Sequence, residues 1–355
     1  MRHRNKVPRS LVTQILEIPT PERKGSLVPR SGRLQRGKVC LPIFSIQMYT
    51  LRSMAKLSGD QLWLEKLSRR TMLKGALSGA AVASVSSLSW SETTPPTQRK
   101  GRIKQSVSRW CYKGIPLDQL CTYAAQIGCK GIDLLKPEEY EVPRKYGLVC
   151  SMAYAGGGDI PNALNRVENH AKIEEGFRQY IPLAAKAGVP NVITFSGNRA
   201  GMSDEEGAKN AIIGLNRVKK IAEDNGVVIC MELLNSKVNH KDYQCDKTPW
   251  GVELVKRVGS ENFKLLYDIY HMQIDEGDVI RTIKDNHQYI AHYHTGGVPG
   301  RNEIDETQEL YYPAIMKAII DTGFKGYVAQ EFIPARKTNE EKLVSLEKAV
   351  KICDV

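Results

Sequence analysis

From residue 106 onward the sequence predicts an α/β fold: a parallel, eight-stranded (β/α)8 TIM barrel forming a single domain behind a disordered leader. Three observations predict it. Short apolar runs of strand type alternate with longer amphipathic segments, eight of each can be counted, and glycines stand where a left-handed cap would end a helix before the next strand. Such alternation implies parallel strands joined by crossover helices, and eight units in about 250 residues is the size of a closed barrel.

The strand-like runs fall near 106–112, 131–135, 148–154, 191–196, 227–234, 263–270, 289–294 and 326–332. Helical patterns lie between and after them, near 116–127, 137–146, 166–187, 203–225, 248–258, 276–287, 307–321 and 339–353. Gly128, Gly147, Gly188, Gly226 and Gly323 punctuate the helix ends. An open doubly wound sheet is the competing arrangement. A dinucleotide-binding one would carry GxGxxG after its first strand, where this chain has Lys113, Gly114, Ile115 and Pro116.

The formal net charge of +12 divides unevenly. Residues 1–100 hold 18 Lys and Arg against 5 Asp and Glu, and the remainder holds 33 against 34. The basic excess therefore belongs to the leader, and a nucleic-acid partner for the barrel is not expected. Residues 1–67 read as a basic, disordered or misassigned extension, with a start at Met54 as one alternative.

Ser68, Arg69, Arg70, Thr71, Met72, Leu73 and Lys74 form a twin-arginine pattern, followed by an uncharged stretch from Gly75 to Ser89. This resembles a Tat signal, so residues 68–100 read as signal and linker, with the Tat export machinery as a partner and a periplasmic or secreted location. If the signal is not used, the location is cytoplasmic. The apolar stretch is shorter than the roughly 20 residues that span a bilayer, so no stable membrane anchor is expected. The eight cysteines never take CxxC spacing and read as buried free thiols.

The chemistry concentrates on strands five to eight. Each is apolar except for one potential ligand toward its C-terminal end: Glu232 in VVICMELL, Asp268 in KLLYDIYH, His294 in IAHYH and Glu331 in YVAQEF. Ionised carboxylates inside apolar strands cost several kcal/mol unless paired or metal-bound. Separations of 36, 26 and 37 residues are one βα unit each, so the four groups would share one arc of the barrel mouth. Three carboxylates and an imidazole form a hard, oxygen-rich set that suits Mn²⁺, Mg²⁺ or Co²⁺, with zinc left open. His292 shares a face with His294 but sits deeper and reads as an inner residue; between Gln330 and Glu331, which face opposite ways, the carboxylate is the better ligand. Asn198 and Arg199, after strand four, are placed at the rim for a carboxylate or phosphate, or for capping their loop.

These residues, with His271 three after Asp268 and with the stretch from His294 to Glu303, resemble the xylose isomerase-like barrel superfamily, and within it the hydroxypyruvate isomerase family. The resemblance covers about residues 106–353 and is most specific at 231–235, 267–271 and 299–304. It implies that Glu232, Asp268, His294 and Glu331 hold a divalent metal, that Glu232 and Glu331 also shuttle a proton, and that His271 and Arg301 contact substrate. Lys237 stands where an arginine commonly follows the first glutamate, and is a further candidate for substrate binding. His294 stands where hydroxypyruvate isomerases often have glutamine, as in ketose 3-epimerases.

The expected reaction is removal of a proton beside a carbonyl in a small hydroxy-carbonyl substrate, passing through an enediolate, with hydroxypyruvate to tartronate semialdehyde the nearest example. A ketose 3-epimerase or other sugar isomerase is the alternative, and a non-catalytic periplasmic sugar-binding barrel is the alternative of another class. Metal-assisted phosphodiester cleavage would want more His and Asp ligands and a basic surface. Any long helix on the outside of such a barrel could be a dimer face, which leaves a homo-oligomer open.

Overall fold

The computed structural model describes residues 99–355. The twin-arginine run and the expectations for residues 1–67, and for all but the end of 68–100, lie outside the described residues. Eight parallel strands close on themselves in chain order. They are β1 (Lys104–Ser108), β2 (Gly131–Leu135), β3 (Val149–Tyr154), β4 (Asn191–Thr194), β5 (Val228–Glu232), β6 (Phe263–Asp268), β7 (Ile290–Thr295) and β8 (Tyr327–Gln330), and β8 pairs with β1 to complete the barrel.

Outside them lie α1 (Leu117–Gln126), α2 (His170–Lys186), α3 (Asp204–Asn225), α4 (Thr248–Val258), α5 (Ile269–Asp275), α6 (Val279–Asn286), α7 (Tyr312–Asp321) and α8 (Asn339–Ile352). The helix ends follow their sequence signals. Ser203 caps α3 by accepting from the Glu206 amide, and Thr338 with Glu341 forms a capping box on α8. All five predicted stop glycines have positive φ, between 63° and 86°.

Two expectations differ. The helix predicted near 137–146 is instead a pair of 3-10 turns, Pro137–Glu139 and Val142–Tyr146. Pro137 stands at the start, where a missing amide costs nothing, but Pro143, six residues on, would fall inside the expected helix, where it removes an amide donor and clashes with the carbonyl four residues back. The helix predicted near 276–287 is α6, and a further short helix, α5, starts directly at the end of β6.

The strands are buried on both faces, with polar residues such as Ser106, Ser151 and His292 among the wholly buried ones. Val107, Ile132, Ile229, Leu265 and Val328 are fully buried along the strands, whereas the charged groups gather at the strand C-termini. The described cysteines are all free thiols and, except for half-buried Cys111, buried. Among the described residues no helix is long and apolar enough to cross a membrane.

Candidate metal centre at the barrel mouth

Strand register delivers four ligating side chains to one place. Glu232 ends β5, Asp268 ends β6, His294 is one residue short of the end of β7, and Glu331 follows β8. His294 pairs with Asp268 on one side and with Ala329 on the other, so these strand ends are level. All four side chains are buried, and each offers one ligand atom within 4.8 Å of the others. A single cation with metal–oxygen distances of about 2.0–2.4 Å holds opposite ligands roughly 4–5 Å apart, so the set fits one divalent ion. Gln330 turns the other way, to Thr295 Oγ1 and Gln105 Oε1, which leaves Glu331 as the inward group.

Local structure explains the YDIYH segment. Asp268 is the N-cap of α5, where Oδ1 accepts from the His271 amide at 3.2 Å and Oδ2 remains for the cluster. One helical turn thus fixes His271 beside Asp268. The His271 Nδ1 accepts from the Asn235 amide at 3.1 Å, so a neutral ring carries its proton on Nε2. That Nε2 lies 2.9 Å from Arg301 Nη1, itself a donor, and an oxygen received between the two would relieve the contact.

Arg301 brings a permanent positive charge to the cluster. Its Nη2 is 2.9 Å from Asp268 Oδ2 and also contacts Glu331 Oε2, and its guanidinium is flanked by the rings of Trp110 and Tyr270 at 5.4 Å. Trp110 Nε1 donates to Glu331 Oε1 at 2.6 Å. His294 Nδ1 faces Glu331 Oε2 at 2.6 Å and Glu232 Oε1 at 3.1 Å, while its Nε2 is 2.9 Å from Asp133 Oδ2.

The charges perturb one another. Burial would raise Glu331, but Arg301 and His294 outweigh it and hold the group well below the usual carboxylate range. Burial and the Glu331 charge raise Glu232, and burial pushes Asp268 up to about 7 against the pull of Arg301. Burial and the neighbouring Arg301 charge drive His271 well down, which keeps its ring neutral. Against its burial, Glu331 and the surrounding carboxylates raise the His294 pKa well above the ordinary value, so the chain on its own meets the crowded carboxylates with two cationic groups. A divalent ion would take the place of the His294 proton, leaving that ring neutral to ligate.

Beside the centre lies a cavity of about 260 Å³. Leu134, Ile160, Ile193, Phe195 and Leu234 form its apolar side, and Glu232, Glu331, Arg301 and His240 face it from the charged side. Burial and Arg301 lower the His240 pKa. A space this small, with polar groups at one end, suits a small metabolite.

The other sequence-predicted residues are engaged elsewhere. Lys237 donates from Nζ to the carbonyls of Ile274 and Asp275, both at 2.9 Å. Arg199 pairs with Asp204 and Asp246 at 2.9 Å and ties the loop after β4 to the loop after β5. Asn198 gives its carbonyl to Asn165 Nδ2 at 2.7 Å. None of the three lines the cavity. Sequence reasoning passed over Asp133, Trp110 and His240. Asp133 carried the same signal as the four ligands, a lone carboxylate in an apolar strand, but on strand two.

A model of the family described as xylose isomerase-like TIM barrel matches residues 121–349. Among curated relatives, a human protein bearing the hydroxypyruvate isomerase name is 26% identical over 48% of this chain and 63% of its own length. Hydroxypyruvate isomerase of Escherichia coli is 25% identical over 61% and 87%, and D-psicose 3-epimerase of Ruminiclostridium cellulolyticum is 32% identical over 35% and 40%. The matched part thus spans under two thirds of the human relative and of the epimerase. Among solved structures, an AP endonuclease of family 2 from Brucella melitensis superposes with a TM-score of 0.61 at 22% identity, covering 67% of this chain and 96% of that one. The IOLI protein, described with a binding zinc atom, gives 0.57 at 18%, covering 71% and 98%. At these identities the structural likeness shows the fold.

Proposed function

The chain belongs to the xylose isomerase-like TIM barrel family, and on that premise we propose that it is a metal-dependent isomerase of small hydroxy-carbonyl compounds, most like hydroxypyruvate isomerase. The observation that carries this reading is the convergence of four buried donors from four strand ends beside a small cavity. The hydroxypyruvate isomerase name of several relatives supports the reaction class.

In this reading Glu232, Asp268, His294 and Glu331 hold a divalent ion, which when bound polarises the substrate carbonyl. Glu232, whose burial favours its protonated form, takes the proton from the carbon beside the carbonyl. Return of a proton from Glu232 to the neighbouring carbon, with the hydroxyl proton of the first carbon passing to the former carbonyl oxygen, completes an isomerisation. For an epimerisation Glu331, which rests ionised, must first take up a proton and then deliver it to the opposite face of the first carbon. Arg301 and the Nε2–H of His271 donate to a substrate oxygen received between them, and the apolar side of the cavity packs against the substrate's carbon skeleton. Lys237, Asn198 and Arg199 serve substrate binding indirectly, by fixing the loops that frame the mouth.

A ketose 3-epimerase is the second reading, favoured by the 32% identity to D-psicose 3-epimerase and by histidine at position 294. The twin-arginine pattern supports export, and so an extracellular substrate. The test is ²H incorporation from D₂O, followed by NMR across hydroxypyruvate, tartronate semialdehyde and free ketoses. Exchange with interconversion of the first two supports the isomerase; exchange at C3 of a ketose supports the epimerase; no exchange on any compound refutes both.

A further inference from the structure

Asp133 lies outside the four-donor cluster, yet it is wholly buried and meets three polar side chains. Its Oδ2 is 2.9 Å from His294 Nε2, while Oδ1 accepts from Ser151 Oγ at 2.6 Å and lies 3.1 Å from His292 Nε2. We propose that Asp133 is a positioning residue for the metal centre, fixing the His294 ring so that its Nδ1 lone pair points into the cluster. The inference rests on the metal-binding reading above.

Three features carry it. A ring that donates Nε2–H to a carboxylate carries its free lone pair on Nδ1, and that nitrogen is the one that faces Glu232 and Glu331. The backbone is bent to make the contact. The β2–β3 register shifts on both sides of Asp133, so that Ser151 is the extra residue on β3 and Leu134 the extra residue on β2. Leu134 takes φ of 57°, a left-handed conformation that a leucine adopts only where its surroundings impose it. The paired irregularities bring the Ser151 hydroxyl to Asp133 and let Leu134, next in sequence, line the cavity.

Asp133, His292 and His294 also offer three ligand atoms within 4.8 Å, so a second ion is the rival arrangement. The full chain, stripped with chelator, is titrated with Co²⁺ and followed by its visible absorption and by stoichiometry, alongside Asp133→Asn and Ser151→Ala. Positioning predicts one Co²⁺ per chain in all three, affinity about 10- to 100-fold weaker in Asp133→Asn, a smaller loss in Ser151→Ala, and an altered visible band for saturated Asp133→Asn as the imidazole turns. Far-UV circular dichroism reports folding. A folded Asp133→Asn with wild-type affinity and band overturns the proposal, even if its melting temperature falls. Should that variant not fold, wild-type affinity in Ser151→Ala overturns it. Two ions in the wild type falling to one in Asp133→Asn make Asp133 a ligand and also overturn it. A folded wild type that binds no Co²⁺ refutes the metal reading, and the positioning role with it.

Discussion

Glu232 and Glu331 approach the same nitrogen of His294 from different strands, at 3.1 and 2.6 Å, yet their charges are set in opposite directions, Glu232 toward the neutral form and Glu331 held ionised by Arg301. Such divergence separates a group that accepts a proton from one that anchors charge. Glu232→Gln is expected to lower exchange of the substrate proton by at least about 10²- to 10⁴-fold, the usual contribution of a positioned base, with the circular dichroism of the wild type retained. Glu331→Gln should lose activity comparably and also weaken metal binding, measured by the same exchange and by Co²⁺ titration. Arg301→Lys keeps the charge but loses the planar fork that spans Asp268, Glu331 and the space beside His271. Its KM should rise about tenfold or more, while the metal remains bound. At this scale the cluster was legible because a charged residue in an apolar strand has few explanations. Arg199 and Lys237 were legible only as rim residues, since a long side chain can turn its head either way, and here the heads meet carbonyls and carboxylates of neighbouring loops.

The strands were legible as elements, because parallel strands buried on both faces read as apolar runs, and β2 and α4 fall at the expected bounds. The second unit departs from expectation because its apolar spacing is helical while Pro143 would interrupt that helix. The loop after β3 carries Gly156, Gly157 and Gly158 for a reason that only packing reveals. A Cβ on Gly157 would lie 2.4 Å from the Ile193 carbonyl oxygen, and the Gly157 carbonyl accepts from Thr194 Oγ1 at 2.7 Å. The loop thus crosses β4 at backbone contact beside Ile193, one of the residues that line the cavity. Gly157→Ala is therefore expected to cost about 1–3 kcal/mol, read from the urea midpoint, because the obstructing atom is backbone and cannot step aside.

Taken as a whole molecule, the chain separates a strongly basic first hundred residues from a nearly neutral barrel, and that division was visible from charge alone. The position of Asp133 was not, because the paired bulges that aim it arise from how β2 and β3 meet rather than from either segment. If the barrel concentrates buried negative charge at its mouth for a cation, metal and stability are linked. A divalent ion at a hundred times its Kd should stabilise the fold by about 2.7 kcal/mol, seen as a higher melting temperature that chelator reverses. The most direct test of the central claim is elemental analysis of the purified protein combined with substrate ²H exchange, with and without chelator. One Mn, Mg, Co or Zn per chain and an exchange that chelator abolishes and metal restores is the predicted result. A folded protein with no bound metal, and exchange that is absent or indifferent to chelator, would contradict it.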